Sequence, residues 1–127
     1  MSMPELTSYE AVVATSWKET CKKAALMTLI LLTLHDEPAW SSQITASIAD
    51  LTNGNLEFDQ QSVHRALRRL EEHNLLIHKQ EPAPGTGAKR KVYELTQSGE
   101  RVLREHLTTT MSYTRHPTFQ RLSTMSD

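Results

Sequence analysis

The stretch Phe58–Leu76, FDQQSVHRALRRLEEHNLL, constrains the fold more than any other part of the chain. Val63, Ala66, Leu67 and Leu70 recur at helical spacing and define a core-facing stripe. At about 100° per residue, Gln61, Arg65 and Arg68 fall on the opposite side, with His64 on its flank. Asp59 is suited to the N-cap, and Asn74 to the left-handed turn that ends the helix. An outward row of amide and guanidinium groups fits base edges, because Arg pairs bidentately with guanine and Gln with adenine. Taken alone, this helix reads better as an ordinary amphipathic one with a solvated basic face. The order of its neighbours decides between the two.

Before it, an apolar stripe of Tyr9, Val12, Val13, Trp17, Cys21 and Ala24 keeps one phase. Thr7/Glu10 and Ser16/Glu19 each have capping-box spacing, so either two helices or one from about Ser8 to His35 is allowed, and the stripe favours one. Ala24–Leu34 is apolar nearly all round and should be buried; Pro38 ends it. Ser41 or Ser42 can cap a second helix carrying Ile44, Ile48 and Leu51, with Trp40 packed beneath it. Asn53-Gly54-Asn55 then turns the chain. After the central helix, Leu75–Glu81 fits a strand, Pro82–Ala88 a Pro/Gly-rich hairpin tip, and Lys89–Leu95 a second strand. Thr96 caps a last helix with Val102, Leu103, His106, Leu107 and Met111 along it.

Three helices, a strand, a basic hairpin, a strand and a helix make a winged helix-turn-helix: mainly α with a small β-hairpin wing (α+β). In that architecture the third helix enters the major groove and the wing approaches the backbone or minor groove. Lys89, Arg90 and Lys91 beside the flexible tip would displace counterions from phosphates. Lysines can also simply protect an edge strand. Two basic groups placed for one duplex make DNA the better reading. Ser42, Gln60, Ser62, Arg69, Lys89, Arg90 and Lys91 are the candidate backbone contacts; Gln61, His64, Arg65 and Arg68 are the candidate base readers. The net charge of −1 hides this footprint and leaves a second class open, a winged-helix module that docks another protein without specific DNA binding.

The remaining chemistry is sparse. The six histidines, His35, His64, His73, His78, His106 and His116, form no helical metal pair, and Cys21 alone builds no thiolate cluster or internal disulfide. Cys21 is expected to be a small buried residue. There is no phosphate-binding glycine loop or nucleophile elbow, so neither an enzyme nor a cofactor or metal is expected. The apolar run Ala24–Leu34 is too short to span a bilayer, and Glu5 and Glu10 replace the basic start of a secretory signal. These features imply a cytoplasmic protein with no membrane partner.

From Ala24 to Leu107 the chain resembles the PadR family of transcription regulators. The resemblance rests on Leu31-Leu32-Thr33-Leu34 before an acidic, Pro-containing turn, and on Lys89-Arg90-Lys91-Val92-Tyr93-Glu94-Leu95-Thr96 continuing to Gly99. Its strongest part is Ser62–Leu76, similar to the family pattern Thr-Leu-Tyr, any residue, Ala-Leu-x-x-Leu-Glu-x-x-Gly-Leu-Ile. Ser41 and Ser42 stand where members carry a Gly-Tyr pair, His64 replaces the usual Tyr, and Asn74 the Gly. The resemblance implies a homodimer held by the first and last helices on a two-fold double-stranded DNA operator. It also implies a repressor acting by operator occlusion and a small aromatic effector near the interface, on which Trp17 could stack. The expected organisation is an N-terminal arm and helix extension over 1–15, the winged helix-turn-helix over 16–96, a dimerisation helix over 97–113 and a polar, flexible tail over 114–127.

Overall fold

The computed structural model describes residues 5–85 and 87–125. Part of the N-terminal arm expected at residues 1–6, one residue of the wing tip and the last two of the tail lie outside the described residues. The elements follow in the order α1 (Ser8–Asp36), β1 (Ala39–Trp40), α2 (Ser41–Leu51), α3 (Gln60–Glu72), β2 (Leu76–Pro82), β3 (Lys89–Leu95) and α4 (Gln97–Glu105). A π-helical turn (His106–Thr110), a 3-10 turn (Ser112–Arg115) and α5 (Pro117–Ser123) complete the chain. This is the winged helix-turn-helix that the order of elements predicts.

The first helix is continuous. Thr7 and Glu10 form the full capping box: the Thr7 hydroxyl accepts from the Glu10 N–H at 3.1 Å, and the Glu10 carboxylate from the Thr7 N–H at 2.8 Å. Ser16, the other candidate cap, lies inside the helix. Leu26, Ile30, Leu31 and Leu34 of α1 are buried with Ile44 and Ile48 of α2 and Val63, Leu67 and Leu70 of α3. Leu76, Tyr93 and Leu103 close this core from the sheet and α4. The first half of α1 has no such cover. Tyr9, Val12, Val13 and Trp17 are exposed, and so, against expectation, is Cys21.

The sheet has three strands in the order β1-β3-β2, all antiparallel. The hairpin register pairs Leu76 with Leu95 and Pro82 with Lys89, so β3 has the expected limits and β2 lies one residue later than the sequence puts it, with Pro82 in the strand. The third strand is not expected from the sequence: Ala39 and Trp40 pair with Tyr93 and Val92. Neither Ser41 nor Ser42 caps α2, because Trp40 takes the N-cap position and its N–H donates to the Gln43 side chain at 3.2 Å. Beyond α4, the tail is helical rather than irregular. Pro117 starts α5 at a first-turn position, where its missing N–H is harmless, and Arg115 donates to the Leu107 and Thr108 carbonyls at 3.3 and 3.4 Å.

Gly99, in the first turn of α4, is the tightest point of the fold. A Cβ there would lie 2.2 Å from the Leu75 carbonyl oxygen and 2.6 Å from a Leu95 methyl. Gly-to-Ala in a helix ordinarily stabilises by about 1 kcal/mol. Here Gly99→Ala is expected to destabilise by about 1–3 kcal/mol through overpacking, read as a lower urea midpoint.

Candidate nucleic-acid interface

Helix α3 is set by its ends. The Asp59 carboxylate accepts the Ser62 N–H at 2.7 Å, and this hydrogen bond, more than the cations Arg65 and Lys22, holds its pKa below the usual carboxylate range. At the other end Asn74 adopts φ 60°, a left-handed conformation that Asn tolerates, and its carbonyl accepts from the Thr96 hydroxyl at 2.7 Å. The same hydroxyl accepts the Gly99 N–H at 2.9 Å and caps α4. One threonine thus ties the end of α3 to the start of α4.

Between those ends Gln61, His64, Arg65, Arg68 and Arg69 are exposed while Val63, Ala66, Leu67 and Leu70 are buried. Ser62 is half-buried. The wheel places Arg69 on one flank of the outward row and His64 on the other. His64 faces the wing. With Trp40, Ser41, Arg90, Lys91 and Tyr93 it lines a cleft of about 370 Å³.

Not every candidate side chain is free to meet DNA. Gln60 donates to the Thr45 hydroxyl of α2 at 3.1 Å, so it braces the two helices. Ser42 accepts the Trp40 indole N–H at 2.7 Å. Arg90 is half-buried, its guanidinium stacked over the Trp40 ring with Cζ 3.1 Å from the centroid. Trp40 therefore packs against β3 and not beneath α2, because β1 carries it into the sheet. Lys89 and Lys91 stay exposed.

The wing is also held from below. His78 of β2 hydrogen-bonds the Glu71 carboxylate of α3, and its ring lies 5.7 Å from that of Tyr93. Burial, reinforced by Glu71, raises the Tyr93 pKa. On the far side, His35 of α1 and Arg104 bond the same Glu100 carboxylate at 3.0 and 3.4 Å; these bonds, Arg104 first, lower its pKa. Sequence reasoning missed these pairings, because seven and 65 residues separate the partners. Among the described residues no cluster of His, Cys, Asp or Glu could hold a metal ion, and no helix is long and apolar enough to cross a membrane.

Trp17, the candidate effector contact, is 70% exposed on α1. It is not among the residues lining a groove of about 390 Å³ that begins one turn later at Cys21 and Ala24 and is closed by Leu32, Met111 and Tyr113.

Known proteins share this arrangement. The profile of the transcriptional regulator PadR-like family matches residues 30–105. A PadR family transcriptional regulator from Eggerthella lenta is 26% identical, with a TM-score of 0.70 over 94% of this chain and 98% of the other. A PadR-like transcription factor from Bacteroides fragilis is 28% identical, with a TM-score of 0.64 over 84% and 98%. Bacillus subtilis PadR, solved in complex with operator DNA, is 22% identical and shares the fold at a TM-score of 0.59, over 65% of this chain and 47% of that one. No curated protein matches the chain. Members of the matched family are transcription regulators and not enzymes. A family profile covering most of the chain, on a three-helix core with a wing closed against its third helix, leaves one conclusion: the chain belongs to the PadR-like family of transcriptional regulators.

Proposed function

We propose that this chain is a sequence-specific DNA-binding repressor, a homodimer that acts by occluding a two-fold operator. The observation that carries the reading is the junction of α3 with the wing. His64 lines the same cleft as Arg90 and Lys91, so the guanidinium row of α3 and the wing cations belong to one surface. With α3 in the major groove, Gln61, Arg65 and Arg68 meet base edges and His64 meets the wing-side edge. Ser42, Gln60, Ser62, Arg69, Lys89, Arg90 and Lys91 then lie along the backbone, Gln60 and Ser42 after exchanging their internal hydrogen bonds.

Dimerisation is supported by the first half of α1. A helical segment without tertiary cover is marginal in water, and this one exposes Tyr9, Val12 and Trp17 on one stripe. A second copy covers the stripe and doubles the DNA contacts, which a single winged helix needs for useful specificity. The groove beside α1 has the size and apolar lining for a small aromatic effector, and Trp17 sits one turn from its rim. Loss of operator affinity on adding such a ligand is the expected release.

The test is fluorescence anisotropy on fragments of the upstream region, against scrambled duplex, at two salt concentrations. The reading requires tighter binding to one fragment, weakening steeply with salt. Equal, weak binding to all fragments would sink it. Lys91→Ala is expected to weaken binding to every duplex alike and to flatten the slope of log K against log salt by about one for each bound subunit. A loss confined to one sequence would instead place Lys91 among the base readers.

A further inference from the structure

Trp40 is the side chain with no part in the reading above that nevertheless touches two residues that have one. It ends β1 and precedes α2, and its backbone pairing with Val92 holds the indole beside β3. Its N–H donates to the Ser42 hydroxyl at 2.7 Å, and its ring lies under the Arg90 guanidinium. Trp40, Ser41, His64, Arg90, Lys91 and Tyr93 together line the cleft where α2, α3 and the wing meet. That lining holds two cations, an imidazole and two hydroxyls, and no carboxylate. The nearest acid in the ladder, Glu81, faces Arg90 from β2. Arg90 Nε is buried and has no hydrogen-bond partner among the described residues.

We infer that Trp40 is a positioning residue for DNA binding, holding Arg90 so that this cleft seats one backbone phosphate. The inference rests on the DNA-binding reading. Stacking uses one face of the guanidinium and leaves its edge donors for a phosphate oxygen. An unstacked Arg on the wing would lose several rotamers at the moment of binding; a stacked one has lost them already. Lys91 and His64 complete the seat from its two walls. Because a phosphate carries no sequence, Trp40 acts on the affinity for every duplex and leaves base choice alone.

The test is anisotropy of the full chain on the operator fragment and on scrambled duplex over a series of salt concentrations, with thermal melts confirming the fold. Trp40→Leu is expected to weaken both duplexes by the same factor, about 3- to 10-fold, and to lower the salt slope by about one for each bound subunit. Trp40→Phe keeps a ring under the guanidinium and should recover most of that loss. Arg90→Gln should match Trp40→Leu, and the double variant should bind no worse than either single one. If Trp40→Leu does not fold, Arg90→Gln carries the test through its salt slope. An unchanged slope, a loss confined to one sequence, or losses that multiply in the double variant would overturn the inference while operator binding by the unaltered chain stands. Failure of the unaltered chain to bind any duplex would overturn the DNA reading and this inference with it.

Discussion

Arg65→Ala is expected to reduce operator affinity by between roughly thirtyfold and twenty-thousandfold, while binding to scrambled duplex falls only a few-fold. Arg65 is exposed in the middle of the outward row of α3, one turn from Gln61 and Arg68, and the helix beneath it is pinned at both ends. A bidentate guanidinium–guanine pair contributes about 1–3 kcal/mol of discrimination. In a two-fold complex the contact occurs twice, so about 2–6 kcal/mol is lost at the operator. On scrambled DNA the same change removes only one cation per subunit. Specificity, the ratio of the two affinities, therefore falls almost as far as operator affinity does. The check is anisotropy on the operator and on variants with each base pair replaced in turn, where the Arg65→Ala profile should flatten at one position per half-site. Operator affinity equal to that of the unaltered chain would remove Arg65 from the reading surface.

The second large effect concerns assembly. Trp17→Glu places a charge at the centre of the exposed α1 stripe, where Trp17 is 70% and Tyr9 78% exposed in the single chain. In an isologous interface the charge enters twice and is buried each time. The expected product sediments as a monomer. It keeps its binding to scrambled duplex and loses about 100- to 10,000-fold on the two-fold operator, the range that linking two binding modules supplies. Far-UV circular dichroism should also report lost helix, because the first half of α1 is then uncovered. A Trp17→Glu chain that remains dimeric with undiminished operator affinity would show that another surface joins the subunits.

Helix α3 was almost fully legible in the sequence because its determinants are local. Asp59 caps it, Asn74 turns out of it at φ 60°, and Val63, Ala66, Leu67 and Leu70 are buried in phase. The wing was legible for the same reason, since two prolines and two glycines bracket a turn between strands that lie within one residue of where expected. The C-terminal helix was not. Pro117 signals a break when read forwards from α4, yet it opens α5 once the chain has turned.

What the sequence determined by itself is the order of the first four helices and the wing, the limits of α3, the core stripe and the outward row of Gln61, Arg65 and Arg68. Each depends on spacing within one element, and periodicity records spacing. What only the tertiary structure decided is which of the remaining polar groups are free. Gln60 is taken by Thr45, Ser42 by Trp40, Arg90 by the Trp40 ring and Glu71 by His78. Strand β1 belongs with these, for two residues are too few to show alternation and exist as a strand only through β3. So does Gly99, whose need for a bare Cα comes from the Leu75 carbonyl. Contacts between elements depend on where the core brings separate surfaces together, and no pattern within one segment encodes that distance.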